Sequence, residues 1–309
     1  MQYVGIQSQI NRNNFNSVLL LIAFPILLLA MVYAFIFFIG GKGFQQTNQG
    51  FLMILPWVLI GVSIWFAVAW FFNSKMIQFA TGAKSLDRRT NKRVYNLLEN
   101  LCIAQGMPMP KLFVINDSSL NAYASGLKPS QYAVTLSQGI IDKLDDDELE
   151  SVMAHELTHI INKDVQLLVI SIIFVGIFAF IAESVFRSLR FGGRSSDGRG
   201  SAAVILIAVV ISAIAYFLSI LMRFGISRSR EYMADAGSAE MTKNPMALAS
   251  ALRKIANDPA IEALENRDVA QLFIDNPKPS AHGFSWDNLF TTHPPIEKRI
   301  AVLEQFVNS

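Results

Sequence analysis

The sequence has little charge and almost no cysteine. Asp, Glu, Lys and Arg make up 16% of its 309 residues, whereas a soluble globular chain carries roughly 25% charged residues. The formal net charge is only +2, which argues against nucleic acid as a partner. Cys102 is the single cysteine, so an intramolecular disulfide is excluded and a reducing compartment fits. Together these deficits favour a membrane protein over a soluble or disulfide-stabilised one.

The missing charge is concentrated in four long apolar runs. They cover approximately residues 18–39, 51–72, 165–186 and 202–222. A helix needs about 20 apolar residues to cross a bilayer core of about 30 Å, and each run reaches that length. The first run is too long for a cleavable signal peptide and lacks a clear cleavage site, so we expect it to be a retained span. The sequence therefore predicts four candidate transmembrane helices, arranged as two hairpins.

Lys and Arg in the short flanks predict the orientation of these spans. Six basic residues follow the second run and place the chain after it in the cytoplasm: Lys75, Lys84, Arg88, Arg89, Lys92 and Arg93. The same bias puts the N-terminus in the cytoplasm. The loop between the third and fourth runs conflicts with the rule, because it carries Arg187, Arg190, Arg194 and Arg199. Either this pair crosses against the charge rule or it forms a hairpin that does not fully cross. Length favours full spans, and both alternatives keep the C-terminus cytoplasmic.

The spans divide the chain into four segments. We expect two membrane hairpins at 1–72 and 165–222, and two parts of one cytoplasmic domain at 73–164 and 223–309. In that domain, helical apolar spacing predicts a helix over Thr90–Gln105. Short apolar runs at Lys111–Ile115 and Tyr132–Leu136 predict strands. The predicted fold class is membrane α+β, with a mostly helical cytoplasmic domain that contains a small β-sheet.

A short motif, His155-Glu156-Leu157-Thr158-His159, lies on the next predicted helix. Asp145 with Glu148 three residues later predicts the start of this helix as a capping box. Residues four apart share one helix face, so the two imidazoles can take two corners of a tetrahedral Zn²⁺ ion. Glu156 cannot readily bind the same metal ion, but its carboxylate can reach the metal-bound water and accept a proton from it. The spacing therefore predicts a metal ion and a general base at one place.

A catalytic zinc ion usually has three protein ligands, and this helix supplies two. Position 165 is Val, so a third histidine of the extended motif is missing. Glu231 and Asp235 follow the fourth apolar run and lie four residues apart on a predicted helix. One carboxylate could bind the metal while the other orients a histidine through its second ring nitrogen. Spacing alone also permits a solvated acidic face.

The chain resembles the HtpX-type membrane zinc proteases, which are relatives of the CAAX prenyl proteases. The resemblance covers nearly the whole chain, including two apolar runs before the motif helix and two after it. The segments that carry it are Asp145–Leu149, Met153–His159, Asn162–Asp164, Ser229–Asp235, Asn121–Ala124 and Thr292–Pro295.

The resemblance implies a zincin-like catalytic domain with one Zn²⁺ ion per chain. It implies that Glu231 is the third ligand beside His155 and His159, and that Glu156 is the catalytic base. It further implies that Asp235 supports the site and that His293 helps to stabilise the oxyanion. An edge strand where substrate docks is expected at Asn121, Ala122, Tyr123 and Ala124. An extended peptide added to such an edge is held by main-chain hydrogen bonds.

The implied function is zinc-dependent cleavage of misfolded or damaged membrane proteins at the cytoplasmic face of a bacterial inner membrane, as quality control under stress. The expected partners are polypeptide substrates and the lipid bilayer, without nucleic acid. Three alternatives stay open: a membrane chaperone or scaffold without catalysis, a prenyl-protein protease, and a transporter. The intact motif argues against the first. Four spans have too little apolar volume to form a large enclosed membrane chamber, which argues against the second. The near absence of charges inside the runs argues against the third.

Overall fold

The structure is a computed structural model, and it describes residues 6–40, 43–191, 206, 208–217, 228–256 and 294–306. The contacts divide the chain into two compact units. One comprises Phe15–Phe71 and Ile170–Gly225; the other comprises Met1–Asn14, Phe72–Val169 and Ile226–Ser309. The described helices are α1 (Ile6–Gly40), α2 (Phe44–Thr81), α3 (Lys92–Ala104), α4 (Gln138–Lys143), α5 (Asp146–Ile161), α6 (Asp164–Phe191), α7 (Ala208–Phe217), α8 (Arg228–Thr242), α9 (Pro245–Ile255) and α10 (Ile296–Gln305).

Among the described residues, three helices are long and apolar enough to cross a membrane. The apolar stretches are Asn14–Phe38 in α1, Phe44–Thr81 in α2 and Asp164–Glu183 in α6. They overlap the first three predicted spans, and the second stretch extends beyond the predicted 51–72 at both ends. The fourth run is described mainly over the ten residues of α7, which are too few to span a bilayer core. A fourth crossing therefore stays a prediction, and the arginine-rich loop at 192–200 lies outside the described residues.

The first unit is held together by aromatic packing between its long helices. Phe24 of α1 is fully buried, and its ring stacks on Phe174 of α6 with centroids 4.7 Å apart. Pro25 and Pro56 lie inside α1 and α2. Proline is tolerated in membrane helices, because neighbouring helices and side chains can satisfy the backbone groups that it frees.

The second unit contains the small predicted sheet. Its strands are β1 (Lys84–Ser85), β2 (Lys111–Ile115), β3 (Ala122–Ser125) and β4 (Ala133–Ser137), in the spatial order β1-β2-β4-β3. The pair β2–β4 is parallel, and β1–β2 and β3–β4 are antiparallel. Strand β3 therefore lies at one edge of this sheet.

The turn that leads out of β3 requires a glycine. Gly126 has φ of +120°, and a Cβ atom there would lie 2.6 Å from the carbonyl oxygen of Gln131. A side chain would clash with this backbone and would also be strained in the left-handed region. The preceding strand is fixed to the end of α2, because the Tyr123 hydroxyl lies 3.0 Å from Thr81 Oγ1.

Helix α5 forms the centre of the second unit. Its predicted capping box is present: the Asp145 side chain accepts from the Glu148 N–H at 2.9 Å, and the Glu148 side chain accepts from the Asp145 N–H at 3.0 Å. From Val152 to Thr158 every residue is buried. The helix packs against α8, α9, α3 and β3. The motif helix is therefore an interior element, and its polar side chains face other protein groups.

Candidate metal centre

Two helices of the second unit bring three potential metal ligands together. On α5, the Nε2 atoms of His155 and His159 lie 3.1 Å apart. On α8, Glu231 places Oε2 3.7 Å from His155 Nε2 and Oε1 3.7 Å from His159 Nε2. One ligand atom from each of the three side chains lies within 4.8 Å of the other two. The three side chains converge although 72 positions separate His159 from Glu231.

These distances fit a small tetrahedral metal ion. Zinc binds imidazole nitrogen and carboxylate oxygen at about 2.0–2.2 Å, so two donors at tetrahedral corners lie about 3.3–3.5 Å apart. The observed separations of 3.1 and 3.7 Å bracket that value. Two histidines and one glutamate are also a donor set that catalytic zinc sites use. The residues present therefore fit zinc.

Each histidine is held from behind by a carboxylate. His155 Nδ1 lies 3.1 Å from Asp235 Oδ1, and His159 Nδ1 lies 3.1 Å from Asp164 Oδ2. Such contacts fix the proton on Nδ1 and leave the Nε2 lone pair for a metal. Both Nε2 atoms point to the same place as a result.

The carboxylate behind His155, Asp235, is itself held by an arginine. Arg299 of α10 is fully buried. Its Nε donates to Asp235 Oδ2 at 2.9 Å and its Nη2 donates to Asp235 Oδ1 at 2.7 Å. Its Nη1 lies 3.6 Å from Glu231 Oε2. Three helices that are far apart in the sequence thus meet at the centre.

Close packing of α8 on α5 sets the position of Glu231. A Cβ atom on Gly237 would lie 2.4 Å from Thr158 Cγ2, inside the motif. One residue further, the Ser238 hydroxyl donates to the carbonyl of Ser151 at 2.7 Å. The small residue permits the approach and the hydroxyl fixes the register between the two helices.

The turn between α5 and α6 supplies the second supporting carboxylate. Lys163 adopts φ of 59°, a left-handed conformation that ends α5. Helix α6 then begins at Asp164, whose side chain faces back towards His159. Arg230 of α8 reinforces this corner, because its Nη1 donates to the Asp164 carbonyl at 3.4 Å.

The electrostatic environment shifts the pKa values of the two histidines in opposite directions. Burial lowers the pKa of His155 to about 4, and the hydrogen bond to Asp235 opposes this only in part. Burial also acts on His159, but the hydrogen bond to Asp164 and the charges of Glu231, Asp164 and Glu156 outweigh it and raise its pKa to about 9. The carboxylates around His159 therefore favour a positive charge at this position.

Two further carboxylates, Asp235 and Glu156, interact electrostatically with the histidines. Burial would raise the pKa of Asp235, but Arg299 and His155 hold it below its ordinary value. Asp235 is therefore a carboxylate, and its Oδ1 lies 3.1 Å from His155 Nδ1. Glu156 is only 2% exposed, and its charge contributes to the raised pKa of His159. A buried carboxylate thus lies in electrostatic reach of the proposed ligands.

The remaining residues predicted for the site have different outcomes. Ala122, Tyr123 and Ala124 belong to the edge strand β3, and Asn121 directly precedes it. This strand packs against α5, and all four residues are 3% exposed or less. His293 lies outside the described residues.

Two residues of the centre were not assigned a role from the sequence. Asp164 belongs to one of the segments that resemble HtpX-type proteases. Its contact with His159 depends on the left-handed turn at Lys163. Arg299 has a detectable signal: with Ile296 and Leu303 it occupies the buried stripe of α10, where a charged residue is out of place unless it is paired.

Comparison of the sequence with protein-family models identifies the family of the chain. A model described as peptidase family M48 matches residues 88–307. The chain belongs to this family. An M48 peptidase with three apolar membrane-length helices is a membrane metalloprotease that acts on polypeptides. The enzyme class and the membrane location predicted from the sequence are therefore confirmed.

Similar proteins cover the chain almost completely. A protein named "Protease HtpX homolog" from Bacteroides fragilis is 54% identical over 324 residues, covering 99% of this chain and 100% of the relative. A protein of the same name from Tropheryma whipplei is 34% identical over 301 residues, covering 97% of this chain and 98% of the relative. The predicted resemblance to HtpX-type proteases is confirmed.

One solved structure is similar over most of the chain. It is described as the crystal structure of S. mikatae Ste24p, with a TM-score of 0.47 and 19% sequence identity. The match covers 96% of this chain and 66% of the solved one.

Proposed function

We propose that this M48 peptidase is a zinc-dependent endopeptidase whose metal is held by His155, His159 and Glu231. The convergence of two Nε2 atoms and one carboxylate within 4.8 Å carries the proposal. A zinc ion bound there supplies Lewis-acid activation of water and of the scissile carbonyl. One such ion per chain accounts for all three donors.

Glu156 is the proposed general base. It is adjacent to His155 on α5, its side chain is buried, and its charge acts on His159. Its carboxylate accepts one proton from the attacking water as the water oxygen bonds to the peptide carbon. It then delivers that proton to the leaving nitrogen when the C–N bond breaks. The carboxylates of Asp235 and Asp164 hold the proton of each histidine on Nδ1, so the Nε2 atoms stay free to bind the metal and the histidines stay neutral.

The edge strand β3 is the proposed docking site for an extended substrate, and His293 the proposed oxyanion donor. Strand addition recognises main-chain groups, so it suits substrates of varied sequence. The packing of β3 on α5 supports this role, because it places the sheet edge next to the motif helix. The near-complete burial of β3 in this structure implies that the edge must be uncovered before a peptide binds.

The proposed substrates are misfolded or damaged membrane proteins, cleaved at the cytoplasmic face of a bacterial inner membrane. Basic residues after the second apolar run support the cytoplasmic placement. The apolar helices in the same chain support substrates that share the bilayer.

The experiment compares casein cleavage by the wild type and Glu156→Gln, purified with chelator present until zinc is added for the assay. We expect Glu156→Gln to bind zinc as the wild type does and to lose about 100-fold or more of the cleavage rate, the usual contribution of a general base. Glu150→Gln, on the same helix, is the matched control and should keep full activity. Undiminished cleavage by Glu156→Gln would remove Glu156 from the reaction.

A further inference from the structure

A fully buried arginine lies next to the proposed metal centre. Arg299 has 0% side-chain exposure. Removing a guanidinium from water is unfavourable unless good partners compensate for the lost hydration. Its partners are two carboxylates of α8, which are themselves 7% and 1% exposed. A surface charge on α10 would hold that helix without this cost, so the position points to a role that needs the guanidinium at that place.

The geometry of the contact is directional. Nε and Nη2 of Arg299 engage both oxygens of Asp235, at 2.9 and 2.7 Å. A two-point contact of this kind fixes the plane of a carboxylate, whereas an ammonium group does not. The oxygen that receives Nη2, Oδ1, is also the atom 3.1 Å from His155 Nδ1. One carboxylate oxygen of Asp235 therefore contacts both Arg299 and His155.

We propose that Arg299 is a positioning residue for the metal ligand His155 and that it acts through Asp235. The inference rests on the metal centre proposed above. With Asp235 held in one plane, His155 keeps its proton on Nδ1 and directs the Nε2 lone pair towards His159 Nε2, 3.1 Å away. If Asp235 could rotate, the proton could move to Nε2 and His155 would no longer be a ligand. Helix α10 therefore sets the chemical state of a histidine on α5.

The test uses Arg299→Lys, which retains the positive charge near Glu231 but lacks the planar two-point contact. The first readout is the tautomer of His155 in the chelator-treated protein, measured by nitrogen NMR with labelled histidine. The chain has only four histidines, so the signals can be assigned by single substitutions. We expect the Nδ1–H form in the wild type and a marked gain of the Nε2–H form in Arg299→Lys.

The second readout is zinc affinity by competition with a chromogenic chelator. Loss of a residue that orients a ligand costs about 10–100-fold in metal affinity, and we expect at least about tenfold for Arg299→Lys. In an Asp235→Asn background the same change should alter the affinity less than about twofold, because the route through Asp235 is already broken.

Arg253→Lys is the matched control. Arg253 of α9 forms an exposed ion pair with Glu304 of α10, so it tethers the same helix without touching the centre. Thermal unfolding with chelator checks that all variants are folded. The control should retain the wild-type tautomer and zinc affinity.

The outcomes separate this inference from the proposed function. A wild-type tautomer and affinity in a folded Arg299→Lys protein would overturn the inference while leaving the metal centre intact. An equal loss of affinity with and without Asp235 would also overturn it. A tautomer shift in a chain that binds no stoichiometric zinc would support the role of Arg299 and refute the zinc centre.

Discussion

The two histidines of the proposed metal centre have different supports. His155 is fully buried and its carboxylate partner is locked by Arg299, whereas His159 is 14% exposed and depends on Asp164 at the start of α6. The difference follows from chain position: Asp235 lies within a packed helix, and Asp164 lies at a turn. A single substitution at Asp164 therefore tests the role of a supporting carboxylate most simply.

Asp164→Asn should weaken zinc binding by about 10–100-fold, because the amide cannot hold the proton on His159 Nδ1 as a carboxylate does. Equilibrium dialysis against a zinc buffer would measure this. Asp142→Asn is a control on an exposed carboxylate of α4 that accepts only from Gln138 among the contacts described here. Equal affinity in the two variants would show that Asp164 does not support the ligand.

A second residue-level prediction concerns Glu148. Burial alone would raise its pKa, but Lys254, Ser250 and the Asp145 N–H outweigh it and lower the pKa below its ordinary value. A lowered pKa in the folded state stabilises the protein above the unfolded pKa, near 4.3, and this stabilisation is lost as the pH falls through the folded value. Glu148→Gln should therefore lose about 1–3 kcal/mol at pH 7 and much less near pH 3.

Thermal unfolding of detergent-solubilised protein at the two pH values measures the effect. Glu150→Gln has the opposite sign, because burial and the charges of Asp147 and Asp146 raise the pKa of Glu150. It should be neutral or stabilising at pH 7. A pH-independent loss in Glu148→Gln would contradict the assignment to its charged contacts.

What the sequence could predict at this scale depends on chain distance. The spacing of His155, Glu156 and His159 is local and encodes a metal pair with a base. The choice of Glu231 over Asp235 required the family resemblance, since both lie on the same helix face. Asp164 and Arg299 depend on a left-handed turn and on the docking of α10, which no local pattern records.

Among the helices, the proposed metal centre depends on how closely α8 approaches α5. Gly237 and Thr158 are in contact at a distance that excludes a Cβ atom. The two helices carry all three proposed ligands, so a change in their separation changes the ligand distances directly. Packing at this one point should therefore affect metal binding, although Gly237 itself is not a ligand.

Gly237→Ala should destabilise the fold by about 1–3 kcal/mol, as overpacking does. It should also lower zinc affinity, because α8 must move away from α5. Gly61→Ala in α2 is the matched control, since a Cβ atom there meets nothing within 4 Å. Unchanged zinc affinity in a destabilised Gly237→Ala protein would show that the ligand distances do not depend on this contact.

The elements themselves were predictable where the signal is local. The start of α5 at the Asp145–Glu148 box and the strands β2 and β4 are present as predicted. Strand β1, by contrast, has two residues, Lys84 and Ser85, and exists only because β2 offers it an edge. Such a pairing has no periodicity to detect.

For the whole molecule, the order of the segments links the membrane to the active centre. His159 precedes the second pair of apolar runs and Glu231 follows it, yet the two side chains are 3.7 Å apart. We propose that the chain leaves and returns on the same side of the bilayer, so that zinc joins the two parts of the catalytic domain. Metal binding then contributes to folding as well as to catalysis.

The predicted crossing of both later runs can be tested by labelling. In a Cys102→Ala background, Ser196→Cys places one thiol in the loop between the runs. If both runs cross fully, an impermeant thiol reagent labels this site without permeabilisation of the inner membrane. Asp142→Cys, on the catalytic domain, should react only after permeabilisation. Labelling of Ser196→Cys only after permeabilisation would instead show that the hairpin does not cross.

Metal stoichiometry shows whether α5 and α8 jointly hold one zinc ion, as we propose. Zinc per chain is measured by mass spectrometry after reconstitution and removal of excess metal, for the wild type, Glu231→Ala and the exposed control Glu183→Ala. We expect about one zinc ion per chain in the wild type and the control, and a large loss in Glu231→Ala. A Glu231→Ala protein that retains one tightly bound zinc ion would contradict it.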